Sequence, residues 1–358
     1  MRVKKEIICI LLMAVAMLLS ACSSDSTEAQ AVTTGEETPV GSQIQVIAYA
    51  PYYTEKEAPR RAPTGFTAYT PDKVTEMGMY TLKADDTAPY TEQRLRFSNT
   101  RWFAYFDVQP QKDYTVYGYM PKAEGVTSSL TNVTKSGFNQ TINGATLTIN
   151  GIKPVTADDV CIITGVKNTE TGLREGQFGW RVENANDNFY MYLLMDHLYA
   201  SVNFSLKIHE TYAQLRTIKL KTMTLSVNKA SVNVTATLTH NTVGQSPITG
   251  AVTYDMTDGT YAAEIFNLTV GQELSSVTPL DISACFAPAL SNDLTLVSTY
   301  DVYDSQGNLI RADCTATNKI PNLAANRGQR IQINMIVNPT YLYVMSDKDL
   351  DNLIKIEK

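Results

Sequence analysis

Histidine is scarce in this chain: His197, His209 and His240 are the only three in 358 residues. A histidine-based triad has to draw on one of them, and none has a G-x-S-x-G or comparable nucleophile context. Each is read as a strand-edge or turn residue. The chain also lacks H-E-x-x-H, G-x-G-x-x-G and G-x-x-x-x-G-K-[ST], which leaves zincin, dinucleotide and P-loop chemistry without their frameworks. After Cys22 the cysteines are Cys161, Cys285 and Cys314, no two at C-x-x-C spacing. A Cys285–Cys314 disulfide or buried free thiols both remain open. Lys and Arg number 30 against 36 Asp and Glu, a formal net charge of -6. Nucleic-acid affinity rests on basic side chains displacing phosphate counterions, so a nucleic-acid partner is excluded on charge.

Carboxylates are present, but not in reactive arrangements. Asp85-Asp86 and Asp158-Asp159 are adjacent pairs. Neighbours in sequence point to opposite faces of a strand, so both pairs read as solvated turns rather than as a glycosidase pair. Asp347, Asp349 and Asp351 alternate like the start of a calcium loop, but the glycine at position six and the closing glutamate are missing. An acidic helix N-terminus accounts for them. The sequence therefore assigns no catalytic residue, no metal and no cofactor, and the chain is not read as an enzyme.

What the chain does have begins at its N-terminus. Arg2, Lys4 and Lys5 precede an apolar run over residues 7–19, followed by Leu19-Ser20-Ala21-Cys22. The run is shorter than the ~17–25 residues that span a bilayer, and the pattern is that of a secretory signal peptide. Its end resembles a bacterial lipobox. Residues 1–22 are thus expected to be a lipoprotein signal peptide, with Cys22 the lipidation site and no transmembrane helix in the mature chain. Residues 23–43 hold almost no large apolar side chains and read as a flexible leader.

Strand patterns dominate the remainder. Ile44, Val46 and Ala48 share one face of a first strand, with Ile47 and Tyr49 on the other. The cleanest alternation places Leu198, Ala200, Val202, Phe204, Leu206 and Ile208 on one face, and a one-residue slip would expose that whole set. Asp258-Gly259 and Ser305-Gln306-Gly307 read as hairpin turns. Trp102, Phe103, Tyr105, Phe106, Tyr114, Tyr117 and Tyr119 form an aromatic cluster best used in a core, with a sugar platform as the alternative. Helical signal is confined to weak candidates at residues 210–215 and 347–356.

Strands at roughly ten-residue spacing imply β-sandwiches with Greek-key connections. The length exceeds the ~250–300 residues at which single cores stop growing. A polar break at residues 183–188 divides the expected N-terminal sandwich, 44–186, from a C-terminal one, 187–358.

Two features exceed what a solitary sandwich needs. The first strand is separated from the rest by a polar loop ending in Arg60-Arg61. Cleavage after either arginine would remove the lipid anchor and that strand together, leaving an unpaired edge and an apolar groove. At the other end, beyond Pro339, lies apolar strand material: Tyr341, Leu342, Tyr343, Val344 and Met345. Such a segment could fill the groove of another copy, and a heterologous contact of that kind repeats into a filament. Residues 330–337 alternate equally well and are a second donor candidate.

In this order of motifs the chain resembles the fimbrillins of Bacteroidales, the type V pilin or Mfa-like family. The resemblance rests on the lipobox at Cys22, the strand before Arg60-Arg61-Ala62, Arg101-Trp102-Phe103 leading to Val116-Tyr117-Gly118-Tyr119-Met120-Pro121, Leu194-Met195-Asp196-His197-Leu198, and Asn326-Arg327-Gly328-Gln329. It implies an all-β fold of two tandem transthyretin-like sandwich domains with few short helices. It also implies export as an outer-membrane lipoprotein and maturation by an arginine-specific protease at Arg61, with Arg60 the alternative. Release of the strand carrying Ile44, Val46, Ile47 and Tyr49 would follow, then polymerisation with other fimbrial subunits at the cell surface through a donor around 341–356. The competing expectation is a non-polymerising surface lipoprotein that binds glycan or host protein.

Overall fold

A computed structural model describes residues 42–55, 66–68, 76–135, 144–184, 189–240, 246–290, 294–320 and 324–337. Cys22, Arg60, Arg61 and the segment Tyr341, Leu342, Tyr343, Val344 and Met345 lie outside the described residues, as does the helix expected near 347–356.

The described elements are almost all strands. In chain order they are β1 (Ser42–Pro51), β2 (Thr54–Glu55), β3 (Phe66–Ala68), β4 (Glu76–Lys83), β5 (Gln93–Ser98), β6 (Arg101–Phe106) and β7 (Asp113–Met120). Then follow β8 (Thr127–Thr134), β9 (Gly144–Ile152), β10 (Val155–Thr156), β11 (Cys161–Lys167), β12 (Gly179–Arg181), β13 (Tyr190–His197) and β14 (Ala200–Ile208). A single helical turn, α1 (Glu210–Ala213), precedes β15 (Arg216–Thr239), β16 (Ile248–Glu273), β17 (Leu280–Phe286), β18 (Leu294–Asp304), β19 (Leu309–Ile320) and β20 (Gln329–Val337). His209 caps α1, its ring nitrogen accepting from the Thr211 N–H.

The first sheet runs β11-β13-β1-β6-β5-β4-β7, and β7 pairs again with β11 through Met120 and Tyr119. The sheet therefore closes on itself into a barrel, with β3 beside β1 and β12 beside β7. Closure removes the open edges that a flat sheet would present. The interior is filled by alternate residues from each strand, among them Ile44, Val46, Met77, Met79, Trp102, Ala104, Val116, Ile163, Trp180 and Leu193, all at most 1% exposed.

On β4 and β7 the outer face is buried as well. Tyr80, Leu82, Tyr117 and Tyr119 join a second apolar cluster with residues of β9, β14, β15 and β17. This explains why nearly every position of β7 is buried where a half-exposed strand would alternate. Space between β4 and β7 is limited where Gly78 and Gly118 lie on neighbouring rungs of the ladder. A Cβ on Gly118 would meet the Gly78 carbonyl oxygen at 2.5 Å and Ile163 Cδ1 at 2.7 Å.

The remaining strands form two sheets, β10-β17-β14-β20-β2 and β19-β18-β15-β9-β8, with β16 along the other edge of β15. Their inner faces share the second cluster, in which Val202, Phe204 and Leu206 of β14 join Ile218, Leu220 and Leu225 of β15. This is a sandwich core, and β14 is buried on the face its alternation predicts.

β1 pairs with β13, and β9 pairs with β15, so sheet membership does not follow the 186/187 line. The β18–β19 hairpin forms around Gly307 as expected, with Tyr303 opposite Leu309. The turn expected at Asp258-Gly259 does not form. β16 runs straight through it as a 26-residue strand, and Gly259 sits at a register shift opposite β15. There φ is +150°, and a Cβ would lie 2.7 Å from that of Ala230, so glycine serves a bulge here rather than a reversal.

Candidate functional site

The strand β1 occupies an interior place in the barrel. One edge pairs in parallel with β13, Gln45 opposite Tyr190 through Tyr49 opposite Leu194. The other edge pairs antiparallel with β6 over Ser42–Val46 and then with β3 over Tyr49–Pro51. Its burial alternates as the sequence predicts: Ile44, Val46, Ala48 and Ala50 point inward at 0–4% exposure, while Ile47 and Tyr49 lie on the outer face. On that outer face Arg101 donates to Gln45 at 2.5 Å and Gln43 donates to the Tyr105 hydroxyl at 2.8 Å, tying β1 to β6. Burial, then the nearby Glu170, pushes the Tyr49 phenol up to about 12.

Burying Ile44 and Val46 contributes about 1.5–3 kcal/mol each. Ladder hydrogen bonds add roughly 0.5–1.5 kcal/mol apiece. Without β1, the facing edges of β6 and β13 lose their partners and the barrel interior opens between them.

At its C-terminal end β1 runs into a buried polar cluster. The Nε2–H of His197 donates to the Pro51 carbonyl at 2.9 Å, and Nδ1 lies 2.6 Å from Asp159 Oδ2. Tyr53 stacks on the imidazole at 3.8 Å and 19°, and its hydroxyl donates to Asp159 Oδ1 at 2.5 Å. The same hydroxyl lies 3.3 Å from Cys285 Sγ on β17. Cys161 Sγ lies 3.7 Å from His197 Nδ1, because β11 and β13 place Cys161 directly opposite His197.

Around this cluster Asp196 accepts from the backbone N–H of His197 and from Arg327 Nη1 at 2.6 Å. The Arg330 guanidinium lies over the Tyr53 ring at 5.4 Å, and Thr54 N–H donates to the Gly328 carbonyl at 2.9 Å. The segment after β1 is thus pinned between the barrel and the β14–β20 sheet.

Charge is balanced inside the cluster. Burial by itself would raise the Asp159 carboxyl, but the hydrogen bond and charge of His197, with the Tyr53 hydroxyl, bring it below its ordinary value. Burial would lower the His197 imidazolium, and Asp159 and the Pro51 carbonyl outweigh it, so it is raised. Both ring nitrogens face acceptors, which the doubly protonated ring satisfies.

A Cys–His–Asp set invites a catalytic interpretation, and the geometry opposes it. A triad uses one ring nitrogen for the nucleophile and the other for the carboxylate. Here Cys161 and Asp159 share Nδ1, and Nε2 is committed to Pro51. Cys161 is fully buried, and burial followed by the Asp159 charge pushes its thiol well above the ordinary value, away from the reactive thiolate.

Two sequence expectations are corrected here. His197 is not an edge or turn residue but a buried one at 3% exposure, and Asp159 is not in a solvated turn but 9% exposed and fully partnered. Cys161, Cys285 and Cys314 are free thiols. In the aromatic cluster Trp102, Phe106, Tyr114, Tyr117 and Tyr119 are buried as core, whereas Phe103 and Tyr105 sit half-buried on the outer face of β6. Sequence inspection missed the cluster of Tyr53, Asp159, Cys161, His197 and Cys285 because its members come from four separate segments. The one local signal was Asp159-Val160-Cys161, whose first and third residues share a side.

No family model matches the chain, and no curated protein does. Comparison with solved structures finds a candidate cell-adhesion protein from Bacteroides fragilis NCTC 9343 at 9% identity and TM-score 0.38, covering 82% of this chain and 93% of that one. A fimbrial protein from Bacteroides vulgatus ATCC 8482 matches at 12% identity and TM-score 0.30, covering 82% and 95%. The fimbrial anchor protein Mfa2 from Porphyromonas gingivalis matches at 10% identity and TM-score 0.21, covering 82% and 90%.

Proposed function

We propose that this chain is a fimbrial subunit that polymerises by strand exchange, with β1 as the strand that is given up. The supporting observation is the position of β1: an interior barrel strand, paired on both edges, carried at the N-terminal end of the chain and joined to β3 through the segment containing Arg60 and Arg61. β1 is the first of the described strands, and in this reading one backbone cut after it frees it from the barrel. A cut after Arg61 or Arg60 separates β1, β2 and Tyr53 from the rest, while their partners Arg101, Asp159 and His197 stay with the barrel.

In this reading Cys22 carries the lipid that holds the precursor at the outer membrane, and an arginine-specific protease performs the cut. The vacated groove, between β6 and β13, accepts an extended segment from another copy by main-chain pairing, alternate side chains replacing Ile44 and Val46. The segment Tyr341, Leu342, Tyr343, Val344 and Met345 is the donor we favour over residues 330–337. The latter already form β20, paired along β14 from Ser201 to Ile208, and their departure would open the sandwich core. The role is structural and adhesive rather than enzymatic, and the partners are other fimbrial subunits.

The test is to treat the purified full chain with an arginine-specific protease and follow mass. Cleavage followed by SDS-resistant, high-mass species is the expected result. A cleanly cut protein that stays monomeric at high concentration would overturn the reading.

A further inference from the structure

We propose that Asp159, Cys161 and His197 form a zinc site at the foot of β1, with Pro51 and Tyr53 orienting its ligands. The three donor atoms, a carboxylate oxygen, a thiol sulfur and Nδ1, all lie within 4.8 Å of one another, and all three residues are buried. Thiolate with imidazole and carboxylate is a donor set suited to Zn²⁺, not to Ca²⁺ or Mg²⁺. With Zn–S about 2.3 Å and Zn–N about 2.0–2.1 Å, tetrahedral ligands stand roughly 3.5 Å apart. The Cys161 Sγ to His197 Nδ1 separation is 3.7 Å. Asp159 is closer to Nδ1, at 2.6 Å, and has to swing away by about 1 Å to admit the ion.

The surroundings are those of a metal site. A ligating histidine usually donates its second N–H to a carbonyl or carboxylate, fixing the tautomer that leaves the other nitrogen bare. Here Nε2–H donates to the Pro51 carbonyl, which aims Nδ1 at Asp159 and Cys161. The second oxygen of Asp159 accepts from the Tyr53 hydroxyl, which orients the carboxylate in the same way. Cys285 Sγ, 3.3 Å from that hydroxyl, borders the cluster with a further sulfur.

Charge bookkeeping also permits the exchange. One Zn²⁺ replaces the imidazolium proton at Nδ1 and the thiol proton of Cys161, both released to solvent. The buried net charge is the same before and after. Asp159, Cys161 and His197 all follow the proposed cut, whereas Pro51 and Tyr53 precede it, so the site described here is that of the uncut chain.

The experiment produces the full chain in zinc-supplemented medium, removes free metal by gel filtration and measures zinc by mass spectrometry. The expected result is about one zinc per chain, falling to background in C161S and in H197Q and unchanged in C314S, whose thiol lies outside the cluster. Cobalt loading of the wild-type chain gives an independent reading that needs no folded variant: a thiolate-to-cobalt charge-transfer band is expected. Zinc at background in the wild-type chain, zinc retained in folded C161S, or cobalt loading without a thiolate band would each overturn the proposal.

Discussion

The Nε2 of His197 stands 2.9 Å from the carbonyl oxygen of Pro51, joining the last residue of β1 to the last residue of β13. The two strands run parallel, so this bond closes the ladder at the end where β1 would otherwise fray. Tyr53 then covers the imidazole, and its hydroxyl reaches Asp159 beneath. These three side chains, the Thr54–Gly328 bond and the pairing of β2 with β20 hold the described residues just after Pro51 in place.

Tyr53→Phe tests that arrangement while preserving the ring stack. It removes the hydroxyl that donates to Asp159, a buried acceptor, and is expected to cost about 1–3 kcal/mol. Urea unfolding of the uncut protein measures it. A neutral substitution would mean that the stack alone pins the segment.

Ile44→Ala separates precursor from polymer. Ile44 is fully buried opposite Ala104, so the truncation is expected to cost the uncut protein about 2–5 kcal/mol. On the strand-exchange proposal residue 44 is absent from assembled fibres, whose resistance to denaturant is then expected to equal that of wild-type fibres. Equal weakening of both forms would show that β1 stays in the barrel.

Gly118→Ala probes the closest approach of β4 and β7. The added methyl meets the Gly78 carbonyl oxygen and Ile163 Cδ1 at 2.5 and 2.7 Å, and neither the backbone nor the packed barrel can yield freely. A loss of about 1–3 kcal/mol is expected in thermal or urea unfolding.

Gly259→Ala and Gly307→Ala distinguish a bulge from a turn. Both glycines have positive φ, but a Cβ at 307 meets nothing within 4 Å, whereas one at 259 meets Ala230 at 2.7 Å. Gly307→Ala is expected to cost about 1–2 kcal/mol from backbone strain alone. Gly259→Ala is expected to cost more, and Ala230→Gly in the same chain to recover the steric part. Equal costs at the two sites would contradict the assignment.

These residues also show where sequence patterns inform and where they stop. Alternation at Ile44, Val46 and Ala48, and again from Ala200 to Ile208, found real buried faces, because one-sided burial forces a period of two whatever the partner strand is. Ser305-Gln306-Gly307 was legible for a related reason: a two-strand reversal is decided locally. Asp258-Gly259 carried the same local signal, and the long partner strand β15 overrode it. The cluster around His197 had one local signal, Asp159-Val160-Cys161, and the rest of it comes from distant segments. Asp159 looked like a solvated turn because its partners, Tyr53 and His197, arrive only when β1 and β13 pair in the closed barrel.

The measurement that bears most directly on strand exchange is the N-terminal sequence of the high-mass protein sheared from cells. The account predicts a start at Arg61 or Ala62, with no peptide from 42–55 recovered in the fibre. A fibre whose chains begin upstream of Ser42, with β1 intact, would contradict it.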